Sequence, residues 1–373
     1  MTRKTGLCFQ SCTIILCLLI LSCGSPDHPA VQPGRELNLY IWASYLDPTV
    51  IEQFKKETGV SVRTVTYPSQ ETLEAVLLAG HTQYDVVDVG GEMLEYMIRV
   101  GVIQQLDRSQ LPNWKNLDQV VLDQLSRGDP GNRFAVPYLW GTTGMAINVT
   151  KLKQVSPTAP LDSWHLILDP ANLAQVTRCG VFFSDAPKDI TGTVLLYLGK
   201  DPDSTAADDL NQAGDHLMTL RPMVSKIDSD GLISDLSSGE MCAELTFTAT
   251  AVQAIRRARE VGNQSELRFV IPREGAMSYM DALAIPKDAP HSKDAHQFIN
   301  FLMRGDIAAR NATFTGGASP NRAAFSMLDP VVRNDPAIYP PDAVIKTLHP
   351  LRMHPPDESR VITRNWTRFR TGD

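Results

Sequence analysis

From residue 37 onward the chain alternates between two hydrophobic periods, and that alternation fixes the class of fold open to it. LNLYI (37–41) is a short apolar run of the buried-strand type. PTVIEQFKKETG (48–59) follows, with Val50, Ile51 and Phe54 on one helical face, Asp47 in place to cap, Pro48 at the first position and Gly59 as the stop. SVRTVTY (61–67) alternates as a strand, and SQETLEAVLLAG (69–80) reads as a helix with Ser69 and Thr72 as caps and Gly80 at its end. YDVVDVGG (84–91) is a short apolar strand closing on two glycines, and EMLEYMIRVGVIQQLD (92–107) is a helix and turn. Strands separated by helices of about 10–15 residues pack as a parallel sheet with both faces covered.

A second α/β region follows. Residues 133–152, RFAVPYLWGTTGMAINVTKL, read as extended chain broken by glycines. Residues 161–176 are helix-like, 179–185 a buried strand, and 185–199 open another helix. Residues 233–260 read as helix, turn, strand and helix, and 267–286 as two strands around Arg273-Glu274-Gly275. Residues 292–312 form an amphipathic helix with Ala295, Phe298, Ile299 and Leu302 at helical spacing. The tail is proline-rich and loop-like to Leu351 and ends basic. At 373 residues the chain exceeds a single core, and with no exposed linker it is expected to form two lobes joined by several crossings.

The N-terminus reads as a targeting segment. Arg3 and Lys4 precede IILCLLIL (14–21), which is too short to span a bilayer, and Ser22-Cys23-Gly24 follows. This resembles a bacterial lipobox with Cys23 lipidated, giving a signal peptide over 1–23; a simple cleaved signal ending near Ala30 is the alternative. Either way the chain is expected to be exported. Outside the leader, of the six cysteines only Cys179 and Cys242 remain. In an oxidising compartment these form one disulfide or stay as two buried thiols. The formal net charge of −7 argues against a nucleic-acid partner. No G-x-S-x-G, phosphate loop, H-E-x-x-H, C-x-x-C or G-x-G-x-x-G is present, so neither an enzyme nor a cofactor or metal is implied.

Trp42-Ala43-Ser44-Tyr45 stands where the first strand stops. Two rings around two small residues are poor turn formers, so they suggest a wall for a ligand. This run, together with YDVVDVGGEMLE, FAVPYLWGTTGMAINVTKL, CGVFFSDAP, YLGKDPDST and IPREGAMSYMDALAIP, resembles the periplasmic putrescine- and spermidine-binding proteins of ABC importers, most of all the putrescine branch. The resemblance implies an α/β, two-lobe periplasmic solute-binding fold of type II, each lobe a mixed sheet flanked by helices with the ligand cleft between. Residues 35–137 and 259–305 would form lobe 1, and 138–258 and 306–373 lobe 2. It also implies a disulfide between Cys179 and Cys242, a small cationic amine as ligand, and an ABC permease as partner. A membrane would be touched only through the lipid anchor.

The same resemblance implies a ligand set. Trp42, Tyr45 and Tyr279 would be ring walls, which attract a cation by roughly 0.5–2 kcal/mol each. Asp189 and Asp281 would pair with ammonium heads, and Ala43, Ser44, Gly90, Phe247 and Thr250 would complete the slot. Four positions depart from the family pattern: Ser44 and Thr250 stand where it has aspartates, Gly90 where it has a serine, and Gly317 where it has a tyrosine. Either Glu92 or Glu244 restores an anion from a shifted position, or the ligand is another amine, such as an ω-amino acid or a monoamine. A sensor presenting liganded lobes to a receptor would use the same closure.

Overall fold

The computed structural model describes residues 35–228, 231–238 and 241–373; the expected leader and Cys23 lie outside the described residues. The first elements follow the order read from the sequence: β1 (Glu36–Ile41), α1 (Pro48–Thr58), β2 (Ser61–Thr66), α2 (Gln70–Ala79), β3 (Val86–Gly90) and α3 (Gly91–Val100). Local chemistry explains their ends. The Thr49 N–H donates to the Asp47 side chain, Pro48 fills the first turn, and Gly59 closes α1 at φ 74°, where an L side chain would be strained. Phe54 on the inner face of α1 has no exposed surface and meets Phe298 edge-on, with 4.9 Å between ring centroids.

β1 runs parallel to β2 and β3, as alternating strands and helices demand, while β3 runs antiparallel to β9 (Ala276–Ala284). Residues 133–152, expected to be broken, contain a single strand of 14 residues, β4 (Ala135–Asn148), which passes straight through Gly141 and Gly144. Its first part pairs with β9. Thr143–Ile147 pairs with β7 (Ala243–Phe247), and Met145–Asn148 with β8 (Leu267–Val270). β5 (Val181–Phe183) lies beyond β7, followed by β6 (Lys226–Ile227), and β10 (Leu348–Pro350) lies along the start of β9. The strand order is β2-β1-β3-β9-β4-β7-β5-β6.

Two α/β halves result, with β4 and β9 crossing between them. The β1–β3 half buries one cluster around Leu39, Phe54, Val86 and Phe298, and another around Tyr67, Leu94 and Met97. The β5–β7 half buries Trp164, Phe183, Leu217, Trp366 and Phe369. β9 begins in the second core with Ala276 and ends in the first with Leu283 and Ala284. The division expected from the sequence puts 267–270 in lobe 1; that strand, β8, hydrogen-bonds to the part of β4 that also carries β7.

Cys179 and Cys242 are joined as a disulfide, with their Cα atoms 5.4 Å apart. The helix expected over 292–312 is two helices, Ser292–Leu302 and Gly305–Thr315, separated by Arg304 in extended backbone (ψ 139°). The basic tail holds a helix, Pro356–Thr371, whose Ile362, Trp366 and Phe369 enter the second core; arginines between them mask that period in the sequence. Among the described residues no helix is long and apolar enough to cross a membrane.

Candidate functional site

The carboxyl ends of β1 and β3 meet the middle of β9 at the junction of the halves, where open α/β sheets bind ligands. Register sets Gly90, the last residue of β3, beside Asp281, with Leu139 on the other side of Asp281. A register shift between Pro137 and Leu139 releases Tyr138 from the ladder. Its hydroxyl donates to the Tyr45 carbonyl oxygen at 2.8 Å. After β1 the chain reverses through Ser44 at φ 57°, a left-handed conformation uncommon outside glycine. The reversal leaves Ala43 and Ser44 exposed at the lip and turns Tyr45 inward, where its hydroxyl donates to Asp281 Oδ2 at 2.5 Å.

Around Asp281 the fold gathers acids. Burial pushes Asp281 up to about 7; the Tyr45 hydrogen bond pulls it down and the charge of Glu92 adds to the rise. Asp189, in the first turn of the helix Pro187–Tyr197, is also pushed up to about 7, first by burial and then by Glu92, and its Oδ1 is buried with no hydrogen-bond partner. Asp88 on β3 is fully buried with both carboxyl oxygens unpartnered; burial holds it far above the usual carboxylate range, and Asp281 and Glu92 push the same way. Glu92, in the first turn of α3, is raised by burial while Lys188 pulls it down. Lys188 also bears on Asp189 and reaches Glu71 of the other half at 3.9 Å. Lys188 acts on two of these four acids, and in a buried site they cannot all ionise unless their charge is relieved by a cation from outside; otherwise protons hold them neutral.

Rings border the acids. Trp42 is half-buried and tilts against Tyr67, centroids 4.5 Å apart, and the Tyr67 hydroxyl donates to the Asp88 carbonyl oxygen at 2.8 Å. Tyr279, half-buried, stands edge-on to Phe247 at 5.5 Å, and the charges of Asp281 and Asp189 add to the burial that raises its pKa. Gly141, opposite Tyr279 in the ladder, leaves room for that ring; a Cβ there would collide with the Tyr279 hydroxyl. A cavity of about 320 Å³ adjoins the group, lined by Glu92 and Tyr279 and by Trp140, Met280, Leu351 and Arg352.

Trp42, Tyr45, Gly90, Asp189, Phe247, Tyr279 and Asp281 are therefore connected through ladder register, ring contacts or mutual charge effects. Thr250 lies half-buried in the first turn of the helix Thr248–Glu260, just past Thr248, which bonds Thr142 across β4 at 3.0 Å. Gly317 is buried, and a Cβ on it would stand 3.5 Å from Leu139. The two acids considered as replacements separate: Glu92 acts on Asp88, Asp189 and Asp281, whereas Glu244 is buried elsewhere, raised to about 8 by burial, with Asp235 and Lys226 as its charged neighbours. Sequence reasoning missed Asp88, Lys188, Tyr67 and Tyr138. Asp88 left one signal, an acid in the middle of an otherwise apolar strand. Among the described residues no group of three or more His, Cys, Asp or Glu is placed to hold a metal.

Comparison with known proteins bears on what such a site takes. Residues 49–340 match the family model described as bacterial extracellular solute-binding protein. The chain is 43% identical over 340 residues to the putrescine-binding periplasmic protein PotF of Escherichia coli, covering 91% of this chain and 92% of that one. It is 35% identical over 362 residues to a putrescine/agmatine-binding protein of Pseudomonas aeruginosa, covering 97% and 99%. Among solved structures, a putative spermidine/putrescine ABC transporter from Listeria monocytogenes superposes with a TM-score of 0.80 at 28% identity, over 91% of this chain and all of that one.

Proposed function

The chain belongs to the bacterial extracellular solute-binding proteins, among the periplasmic polyamine-binding components of ABC importers, and from that premise we propose that it captures a diamine of the putrescine type between its two halves and presents it to a membrane permease. In this reading Asp281, Asp189 and their acidic neighbours take the ammonium charge. Trp42, Tyr279 and Phe247 pack along the methylene stem, and Tyr45 holds the Asp281 carboxylate in place. Ala43, Ser44, Gly90 and Thr250 form the remaining contacts. β4 and β9 serve as the hinge by which the halves close. Cys23 is proposed to carry a lipid that keeps the protein at the membrane.

One observation carries this reading: four acids, Asp88, Glu92, Asp189 and Asp281, are collected with half-buried rings where both halves meet. Such a site repels an anionic group. Once a cation ionises these acids, an ω-amino acid would set its own carboxylate against them, whereas a diamine brings a second cation, so a diamine is the better guest. Calorimetric titration with 1,4-diaminobutane, 1-aminobutane and 4-aminobutyrate tests it. The diamine should bind most tightly and 4-aminobutyrate most weakly. Tighter binding of 4-aminobutyrate than of the diamine would sink the proposal.

A further inference from the structure

We propose that Glu92 is a ligand-contacting acid, and that glycine at 90 leaves Glu92 free to reach the slot. The inference rests on the polyamine reading above and adds which residue makes up for the aspartates replaced by Ser44 and Thr250.

The backbone at residue 90 does not require glycine. Its φ of −59° and ψ of 136° are open to any L residue. The space beside it is instead taken by the flexible end of the Glu92 side chain. A Cβ built on Gly90 would stand 2.6 Å from Glu92 Oε2 and 2.7 Å from Oε1. The Glu92 side chain therefore folds back over the β3–α3 junction, and its carboxylate occupies the place that any side chain at 90 would take. That place is beside Asp281, the ladder partner of Gly90. The charge of Glu92 is felt by Asp88, Asp189, Asp281 and Tyr67, which puts it among the slot acids. Lys188, across the junction, is the cation that lowers it.

A plainer role competes. Gly90 is the N-cap of α3 and offers no side-chain cap, so Glu92 in the first turn could serve only to favour the helix terminus. Gly90→Ser separates the two roles. A serine supplies the missing cap hydroxyl and so preserves or raises stability, while its Cβ expels the Glu92 carboxylate. Gly90→Ala expels it without adding a cap.

The experiment measures 1,4-diaminobutane affinity by calorimetry at pH 8, and ligand-free melting temperature, for the full chain and for Gly90→Ser, Gly90→Ala, Glu92→Gln and the double variant Gly90→Ser/Glu92→Gln. A contacting Glu92 predicts that each single variant loses affinity by about tenfold. The double variant should be no weaker than the weaker single one, since both changes remove one interaction. Gly90→Ser should melt no lower than the unaltered chain. Unchanged affinity in Gly90→Ser and Gly90→Ala, with stability shifts alone, overturns the inference and leaves the polyamine reading standing. An unaltered chain that binds no polyamine overturns both.

Discussion

Asp281 is held under two opposed demands. Burial favours its neutral acid, and the Tyr45 hydroxyl favours its anion, with the balance near neutrality. A buried acid in that condition costs the empty protein stability above the unfolded carboxylate range, about pH 4, because the unfolded chain ionises it freely. Asp281→Asn should therefore weaken diamine binding by about tenfold or more while the ligand-free protein melts no lower, and at pH 8 higher, than the unaltered chain. Calorimetry and thermal unfolding on the same samples check both halves. Tyr45→Phe tests the opposing pull. Without the hydroxyl, the Asp281 pKa should rise further, so the affinity lost at pH 7 should be largely regained at pH 9. An equal loss at both pH values would mean that Tyr45 acts through packing alone.

At the level of elements, β4 decides how the site is shaped. It runs unbroken through Gly141 because the strand needs no turn there; the glycine makes room for Tyr279 from β9. Gly141→Ala should displace that ring, destabilise the fold by about 1–3 kcal/mol and lower diamine affinity. In a Tyr279→Ala background the same change should cost little, and denaturant midpoints of the four proteins form the cycle that shows it. This glycine also illustrates what could be read in advance. The strand–helix order of residues 36–100 was legible, since period, caps and stops all agree there. Gly141 and Gly144 looked like breaks because, in a sequence, a glycine that yields space cannot be told from one that yields a turn. The acids at 189 and 281 were legible through family resemblance. Asp88 was not, because its importance comes from burial beside Asp281, a contact made across β3 and β9 some 190 residues apart in the chain. The helix Pro356–Thr371 was missed because arginines interrupt its buried stripe.

On the scale of the whole molecule, the closure proposed above would join the titration of the acids to the capture of the guest. Asp88, Asp281 and Glu92 belong to the β1–β3 side of the junction and Asp189 and Lys188 to the β5–β7 side, so the electrostatics of the slot depend on both halves being together. Where Asp189 and Asp281 titrate near 7, a diamine arriving at lower pH must displace protons to gain its carboxylates. The stabilisation given by ligand, measured as melting temperature with minus without 1,4-diaminobutane, should thus grow as pH rises from about 5.5 to 8, then level until the amine itself begins to deprotonate near the lysine range, about 10. The difference is the quantity to follow. His354 is also buried at the β5–β7 side, with its pKa lowered chiefly by burial, so the absolute melting temperature carries an opposing loss of stability as pH falls through the unfolded histidine value. Replacing Asp189 and Asp281 together by asparagine should flatten the ligand-induced shift across this range. A shift that keeps its full pH dependence in the double variant would place the linked protons elsewhere, and one that grows toward acid would reverse the sign that buried carboxylates require.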